Sequence, residues 1–457
     1  MTPVPLLNVK SLVSYEHRLN RFAAGFVLAV VLGTVACEDM TPTSTDSSLL
    51  PVTPLTLEIR LPYSEFGADL ELTGGFGNES QLNTSLIAGE HQGVLNARAW
   101  VRFAEFPTDV VLADSNGIVV TDSMPAYVGG RVTAFVDTIS AMYDEPPVLA
   151  ASALTEAWDP ESVNWTNAVD SVADVQPWSE PGGGVLTMLD EVTWDPAEGD
   201  TVVFEVDSAT VNAWADTTDG SRGVLFSTGD SGVRLELSFV SLNVDIRSSV
   251  NPDTLLERTI IAAARSFIYD PPPPDPQGEI RVGGTPSWRS TFRVALPDTL
   301  HGPEELCETV GCPFELRSES VNFAALVLHS ATSPPGFQPD DTLAFDARAA
   351  LSAANLPKSP LGTSLLATSF AGLAGAAVPP DFFGDEPEGE LTVGITGFIQ
   401  DLLRGETTRG DPAPTSISLL SIFEPLSLDL MTFAGPGDEN EPFLRVILTT
   451  RVGVPLR

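Results

Sequence analysis

The side chains of this 457-residue chain that could do chemistry are three cysteines, four histidines and a large excess of carboxylates. Cys307 and Cys312 stand close together in ELCETVGCPF. In an oxidising compartment two thiols at that spacing form a small-loop disulfide. As metal ligands they would recruit His301, but no fourth ligand stands nearby. Cys37 is different: it follows the uncharged run Phe22 to Ala36, and small Gly33, Thr34 and Ala36 leave the preceding backbone open to a processing enzyme. His17, His91, His301 and His329 belong to no Gly-x-Ser-x-Gly elbow and no His-Glu-x-x-His pair. With 62 acidic residues, acid pairs fall at almost every spacing by chance, so none marks glycoside chemistry. Lys358 has no glycine run before it to cradle a phosphate. DTTDG from Asp216 and GDEN from Gly437 lack the ligand ladder of a calcium loop and read as solvated turns. The chain is therefore expected to be no enzyme, with no catalytic residue, cofactor or metal.

The uncharged run before Cys37 is too short to cross a bilayer as a helix, which needs about twenty residues. Lys10, Arg18 and Arg21 supply the basic flank of an export signal. The cysteine directly after small residues resembles the lipobox of bacterial lipoproteins, although the usual leucine three positions earlier is Thr34. That resemblance implies a signal peptide over 1–36 and a diacylated Cys37 as the first mature residue, anchoring the protein to a membrane of the cell envelope. A plain secreted protein and a structural helix are the other readings.

Only Glu16 among the acids, and Lys10, Arg18 and Arg21 among the bases, precede Cys37, leaving 61 acids against 20 bases beyond it. Such a surface repels nucleic acid and anionic headgroups, so nucleic acid is not an expected partner. Residues 37–54, rich in Thr, Ser and Pro, read as a tether with a reach of about 20–25 Å.

The remaining chain shows three landmarks twice, in the same order. ARAWVRFAEFP, with Arg98, Arg102 and Pro107, answers to WRSTFRVALP, with Arg289, Arg293 and Pro297. RVTAFVDT from Arg131 answers to VNFAALVLHS from Val321, both alternating as half-buried strands do. TVVFEVDSATVNAW from Thr201 and LTVGITGFIQDLLRG from Leu391 each run a strand into a short amphipathic helix, with N-caps at Ser208 and Thr396 and a stop at Gly405. Closing strands follow at GVRLELSFV and FLRVILTT. Two tandem β-sandwiches are expected, over 55–250 and 251–457, with the division at Asn251 to Asp253 or at the proline run Pro271 to Pro274. The first division is preferred. TIIAAARSFIYD then opens the second unit as LTLEIRLPY opens the first.

LTEAWDPESVNWTNA from Leu154, with the ARAWVRF strand and the VDSATVNAW helix, is similar to the DNRLRE-type domain of bacterial cell-surface proteins, related to disaggregatase and carbohydrate-binding modules. The likeness spans about residues 85–240 and rests on Glu156, Trp158, Glu161, Ser162, Val163, Trp165 and Asn167. It implies a jelly-roll-like sandwich that binds or displays rather than catalyses. Independently, an indole stacks well on the apolar face of a sugar ring. Trp158, Trp178 and Trp194 are the candidate ligand contacts, the last two placed beside glycine- and proline-rich loops, while Trp165 and Trp214 suit core positions. The function expected is a non-catalytic, lipid-anchored envelope protein that recognises a glycan or an envelope partner. The alternatives are a purely structural envelope component and, behind it, a polysaccharide hydrolase.

Overall fold

The computed structural model describes residues 54–451 apart from 75–83, 114–115, 217, 219, 286, 302–306, 309–310, 357, 368, 371–372 and 423–426. The expected export segment, Cys37 and the expected tether up to Thr53 lie outside the described residues. The fold is all-β, built almost entirely of antiparallel strands. Alternation sets the faces. In Thr201–Val206, Val202, Phe204 and Val206 point inward while Thr201, Val203 and Glu205 point out, as the two-residue period of a strand requires.

Two sheet systems enclose separate apolar cores. The first is a nine-stranded sheet that folds over on itself. Its path runs Leu186–Thr193, Val148–Leu154, Val224–Thr228, Leu95–Phe103, Leu255–Asp270, Val233–Arg247, Ala126–Val136 and Thr201–Val206, with Ser85–His91 bridging Val233–Arg247 and Leu95–Phe103. Its two outermost strands meet where the Glu205 amide donates to Asp190 at 2.9 Å. Phe103, Phe204, Phe226 and Trp214 fill its interior.

The second system is a sandwich. Pro54–Pro62, Phe443–Arg451, Val321–His329 and Glu390–Gly394 form one sheet; Gly67–Thr73, Arg289–Val294, Ser416–Ser421, Leu343–Ala350 and Leu361–Ser364 form the other, with Ala376–Val378 on Leu343–Ala350. Leu57, Leu326, Leu444 and Val446 from the first sheet meet Phe292, Phe345, Ile417 and Leu419 from the second. Cys307 and Cys312 are disulfide-bonded beside it, with Cα atoms 4.9 Å apart.

The two systems share one strand order. Leu255–Asp270 pairs with Val233–Arg247 through its first half and with Leu95–Phe103 through its second. In the sandwich that double role is divided: Pro54–Pro62 pairs with Phe443–Arg451, and after the turn Tyr63–Phe66, Gly67–Thr73 pairs with Arg289–Val294. This corrects the expected division. TIIAAARSFIYD and LTLEIRLPY hold equivalent places, but each completes the system opposite to the one it was assigned. The turn at Asn251 to Asp253 closes a hairpin between Val233–Arg247 and Leu255–Asp270, and the chain leaves the first system only after Asp270. A turn sequence signals reversal of direction, and here the reversal stays within one sheet.

The N-caps also move. Asp207, not Ser208, caps Ser208–Ala215, accepting from the Thr210 amide at 2.7 Å. Ile395 precedes Thr396–Arg404, and the Thr396 hydroxyl instead accepts from the Ala324 amide at 2.9 Å, tying the helix to its neighbouring strand. Gly405 does end that helix, at φ 77°, in the left-handed region that glycine enters without strain.

Candidate functional site

Leu95–Phe103 puts Ala99, Val101 and Phe103 into the core, which leaves Arg98, Trp100 and Arg102 on its other face. There they meet the segment that carries the sequence likeness. The Arg102 guanidinium lies 4.2 Å from the Trp158 ring centre and donates to the carbonyls of Trp158, at 2.9 Å, and Gly220, at 3.1 Å. Arg98 lies 4.9 Å from the Trp165 ring centre and donates to the Gly182 carbonyl at 2.6 Å. Each arginine thus grips a loop through its ring and its backbone together. Burial, with the like charge of Arg222 nearby, pushes the Arg102 pKa down to about 10.

The remaining residues of the motif tie the segment to itself. Glu156 accepts from the amides of Ser179 at 3.0 Å and Val185 at 2.9 Å and from the Ser179 hydroxyl, and these bonds, the hydroxyl first, hold its carboxyl below the usual range. Ser162 donates to Asp159 at 2.7 Å and accepts from the Asp170 amide at 3.1 Å. Asn167 donates to Asp170 at 3.1 Å.

The three candidate tryptophans are not an exposed strip. Trp158 and Trp178 share an apolar cluster with Trp100, each 5 % exposed, whereas Trp194 is 2 % exposed in the core of the first system. Their indole N–H groups donate inward, Trp158 to Ser221, Trp178 to Asn164 and Trp194 to Gly199, all to backbone carbonyls. This corrects the expected exposure of Trp178 and Trp194. A buried indole seeks an acceptor for its N–H, and the backbone carbonyls of Ser221, Asn164 and Gly199 supply one each. Trp214 is buried, 5.6 Å from Phe103 between ring centres, and Trp165 is half-buried.

A second site lies where the two systems meet, a cleft of about 680 Å³. Arg234, 7 % exposed, forms ion pairs with Asp340 and with Asp429, the latter at 3.0 Å. His91 Nε2 stands 3.3 Å from Asp340. Burial opposes the charge on Arg234, but Asp429 and Asp340 outweigh it and raise its pKa. Asp340 is held below its usual value, His91 and Arg234 overcoming its burial. Gln92, at φ 50°, accepts from the amides of Gly336 at 2.8 Å and Gln338 at 3.3 Å and donates to the Gln338 carbonyl at 3.1 Å. Beneath these polar ties, Leu86, Leu95, Phe267 and Tyr269 from the first system pack with Phe337, Leu428 and Leu430 from the second. Sequence reasoning missed this junction, because its charged members are isolated residues far apart in the chain. Among the described residues no group of three His, Cys, Asp or Glu side chains is placed to hold a metal ion.

No protein-family model matches this chain, and no curated protein matches it. Solved structures with some likeness include that of the Macrobrachium rosenbergii nodavirus, 9 % identical over 88 % of this chain and 90 % of that one, with a TM-score of 0.13. A structure titled BspA_C_WT is 10 % identical over 75 % and 99 %, TM-score 0.13, and the T13 IBDV viral particle is 9 % identical over 85 % and 75 %, TM-score 0.12. Scores this low carry no argument about fold or function.

Proposed function

We propose that this chain is a lipid-anchored, non-catalytic protein of the cell envelope, in which two jelly-roll-like sandwiches, the first of the DNRLRE type, act as one rigid scaffold for binding or display. The observation that supports this most is the use made of the cleft between the systems. Its buried Arg234 and the carboxylates of Asp340 and Asp429 neutralise one another across the junction, as a joint requires, rather than standing ready for proton transfer. The proposed attachment is the lipid on Cys37, read from the uncharged run and small residues before it; among the described residues no helix is long and apolar enough to cross a membrane. Metabolic labelling with a fatty-acid analogue tests the anchor. Label should appear on the protein and vanish with Cys37→Ser; label that persists in the variant refutes it.

A second reading, a structural envelope component without a small ligand, draws support from the burial of Trp158, Trp178 and Trp194. Tether-free protein, residues 54–457, incubated with polysaccharides and envelope fractions separates the two. Retention on a fraction supports recognition, and passage through all of them supports the structural role. Release of reducing sugar from any polysaccharide would instead make the protein a hydrolase.

A further inference from the structure

Residues 54–73 form an arm: the strand Pro54–Pro62, the turn Tyr63–Phe66 and the strand Gly67–Thr73. We propose that this arm is exchangeable between copies of the chain, so that the sandwich of one molecule is closed by the arm of another.

The arm is held to its sandwich only by non-covalent contacts. Before it lies the stretch read as a tether. After it, residues 74–84 lead to Ser85–His91, which belongs to the first sheet system. The first system fills the equivalent place with Leu255–Asp270, but that strand is fastened to its neighbour by a tight hairpin turn and has nowhere else to go. Residues 74–84, the connection to Ser85–His91, could span at most about 35–40 Å if fully extended.

The arm also occupies an edge of each sheet. Among the described strands, Pro54–Pro62 pairs with Phe443–Arg451 alone and Gly67–Thr73 with Arg289–Val294 alone. Between those pairings Leu57, Leu61, Tyr63 and Phe66 are buried in the sandwich core, with the Tyr63 and Phe66 rings 5.8 and 6.3 Å from that of Phe292. Ion pairs fix the register: Glu58 accepts from Arg445 at 2.8 Å and Asp69 from Arg293 at 2.8 Å. Without the arm, the sandwich presents two open strand edges and an apolar groove, and the sequence complementary to that groove is this arm. A second copy supplies identical contacts, so exchange changes the connectivity and leaves the bonding intact.

Thr56 and Thr449 are register partners with hydroxyl oxygens 3.4 Å apart, which makes them the reporter. Two full-length variants, each also carrying Cys37→Ser, have Thr56→Cys in one and Thr449→Cys in the other. They are unfolded, mixed, refolded together and oxidised, and disulfide-linked peptides are identified by mass spectrometry. A chain with both substitutions shows that the pair can bridge. Exchange predicts a disulfide joining position 56 of one chain to position 449 of another, whose yield rises about tenfold for each tenfold rise in concentration while dimer is scarce. A bridge in the doubly substituted chain, with no such link between chains at any concentration, overturns the proposal. Light scattering on the unsubstituted chain refolded at high concentration gives an independent reading. Dimer that persists on dilution supports exchange, and monomer alone at every concentration contradicts it.

Discussion

Arg234 Nη1 lies 3.0 Å from Asp429 Oδ1: Arg234 stands in the nine-stranded sheet, and Asp429, 195 positions on, directly precedes Leu430–Phe433, whose Met431 and Phe433 pack in the sandwich core. Both side chains are buried, and Arg234 also pairs with Asp340, so it is the loss of Arg234 that leaves Asp429 charged without its ion-pair partner. Arg234→Met should therefore lower unfolding stability by about 3–5 kcal/mol, measured by urea denaturation, because Asp340 and Asp429 lose their shared counter-charge. Asp429→Asn, which leaves Arg234 paired with Asp340, should cost less. Equal stability of Arg234→Met and the parent would show that the joint is held by its apolar part alone.

Trp158→Ala and Trp178→Ala should each cost about 3–5 kcal/mol of stability, since both remove large buried rings whose N–H groups are bonded inward. The measurement is denaturant unfolding followed by far-ultraviolet circular dichroism. A variant that keeps the parent's stability while losing retention on a polysaccharide would restore these rings as ligand contacts.

Gly184 sits at φ 73°, and a Cβ added there would fall 2.2 Å from the Glu156 carboxylate. Gly184→Ala should thus destabilise the segment by about 1–3 kcal/mol. Adding Glu156→Ala to it should not restore the parent, because the backbone strain and the lost bonds to Ser179 and Val185 both remain. Proteolysis at the 155–185 segment, compared between variants, reads this locally.

Glu236 lines the cleft, where burial, with Asp429 and Asp137 adding like charge and Arg234 opposing, raises its carboxyl above the ordinary 4.5. A carboxyl whose folded pKa is raised contributes stability below its unfolded value, and that contribution is lost as pH rises through the folded value. Glu236→Gln should accordingly stabilise the protein at neutral pH and make no difference below the ordinary carboxylate range. Thermal unfolding of both proteins across that pH span provides the check, and a stabilisation independent of pH would disprove the assignment.

Much of the architecture was legible because strands announce themselves by local alternation. Val202, Phe204 and Val206 fall inside as their spacing requires, and Val211 and Trp214 share the buried face of their helix. Partner choice is another matter. Leu255–Asp270 and the arm have similar patterns and equivalent places, so nothing local states which system each completes; that depends on the connections on either side. Trp178 and Trp194 were misplaced because glycine, proline and aspartate flank them. Those residues mark a loop, but whether a loop shields a ring or presents it depends on what lies beneath, here Trp100 for one and Tyr143 for the other. The Arg234 joint left no trace at all, since Asp340 lies 106 positions from it and Asp429 farther still.

Pairing the first described strand with the last also constrains how the protein can be made. A chain that emerges from its N-terminus delivers Pro54–Pro62 long before its partner Phe443–Arg451. Contacts that span nearly the whole sequence are slow to form. The nine-stranded system, whose strands all lie between Ser85 and Asp270, can fold while later residues are still arriving, but the sandwich must wait for Phe443–Arg451. During that interval the apolar edge of the arm is unshielded. Until Phe443–Arg451 arrives, that edge is open to other half-made chains.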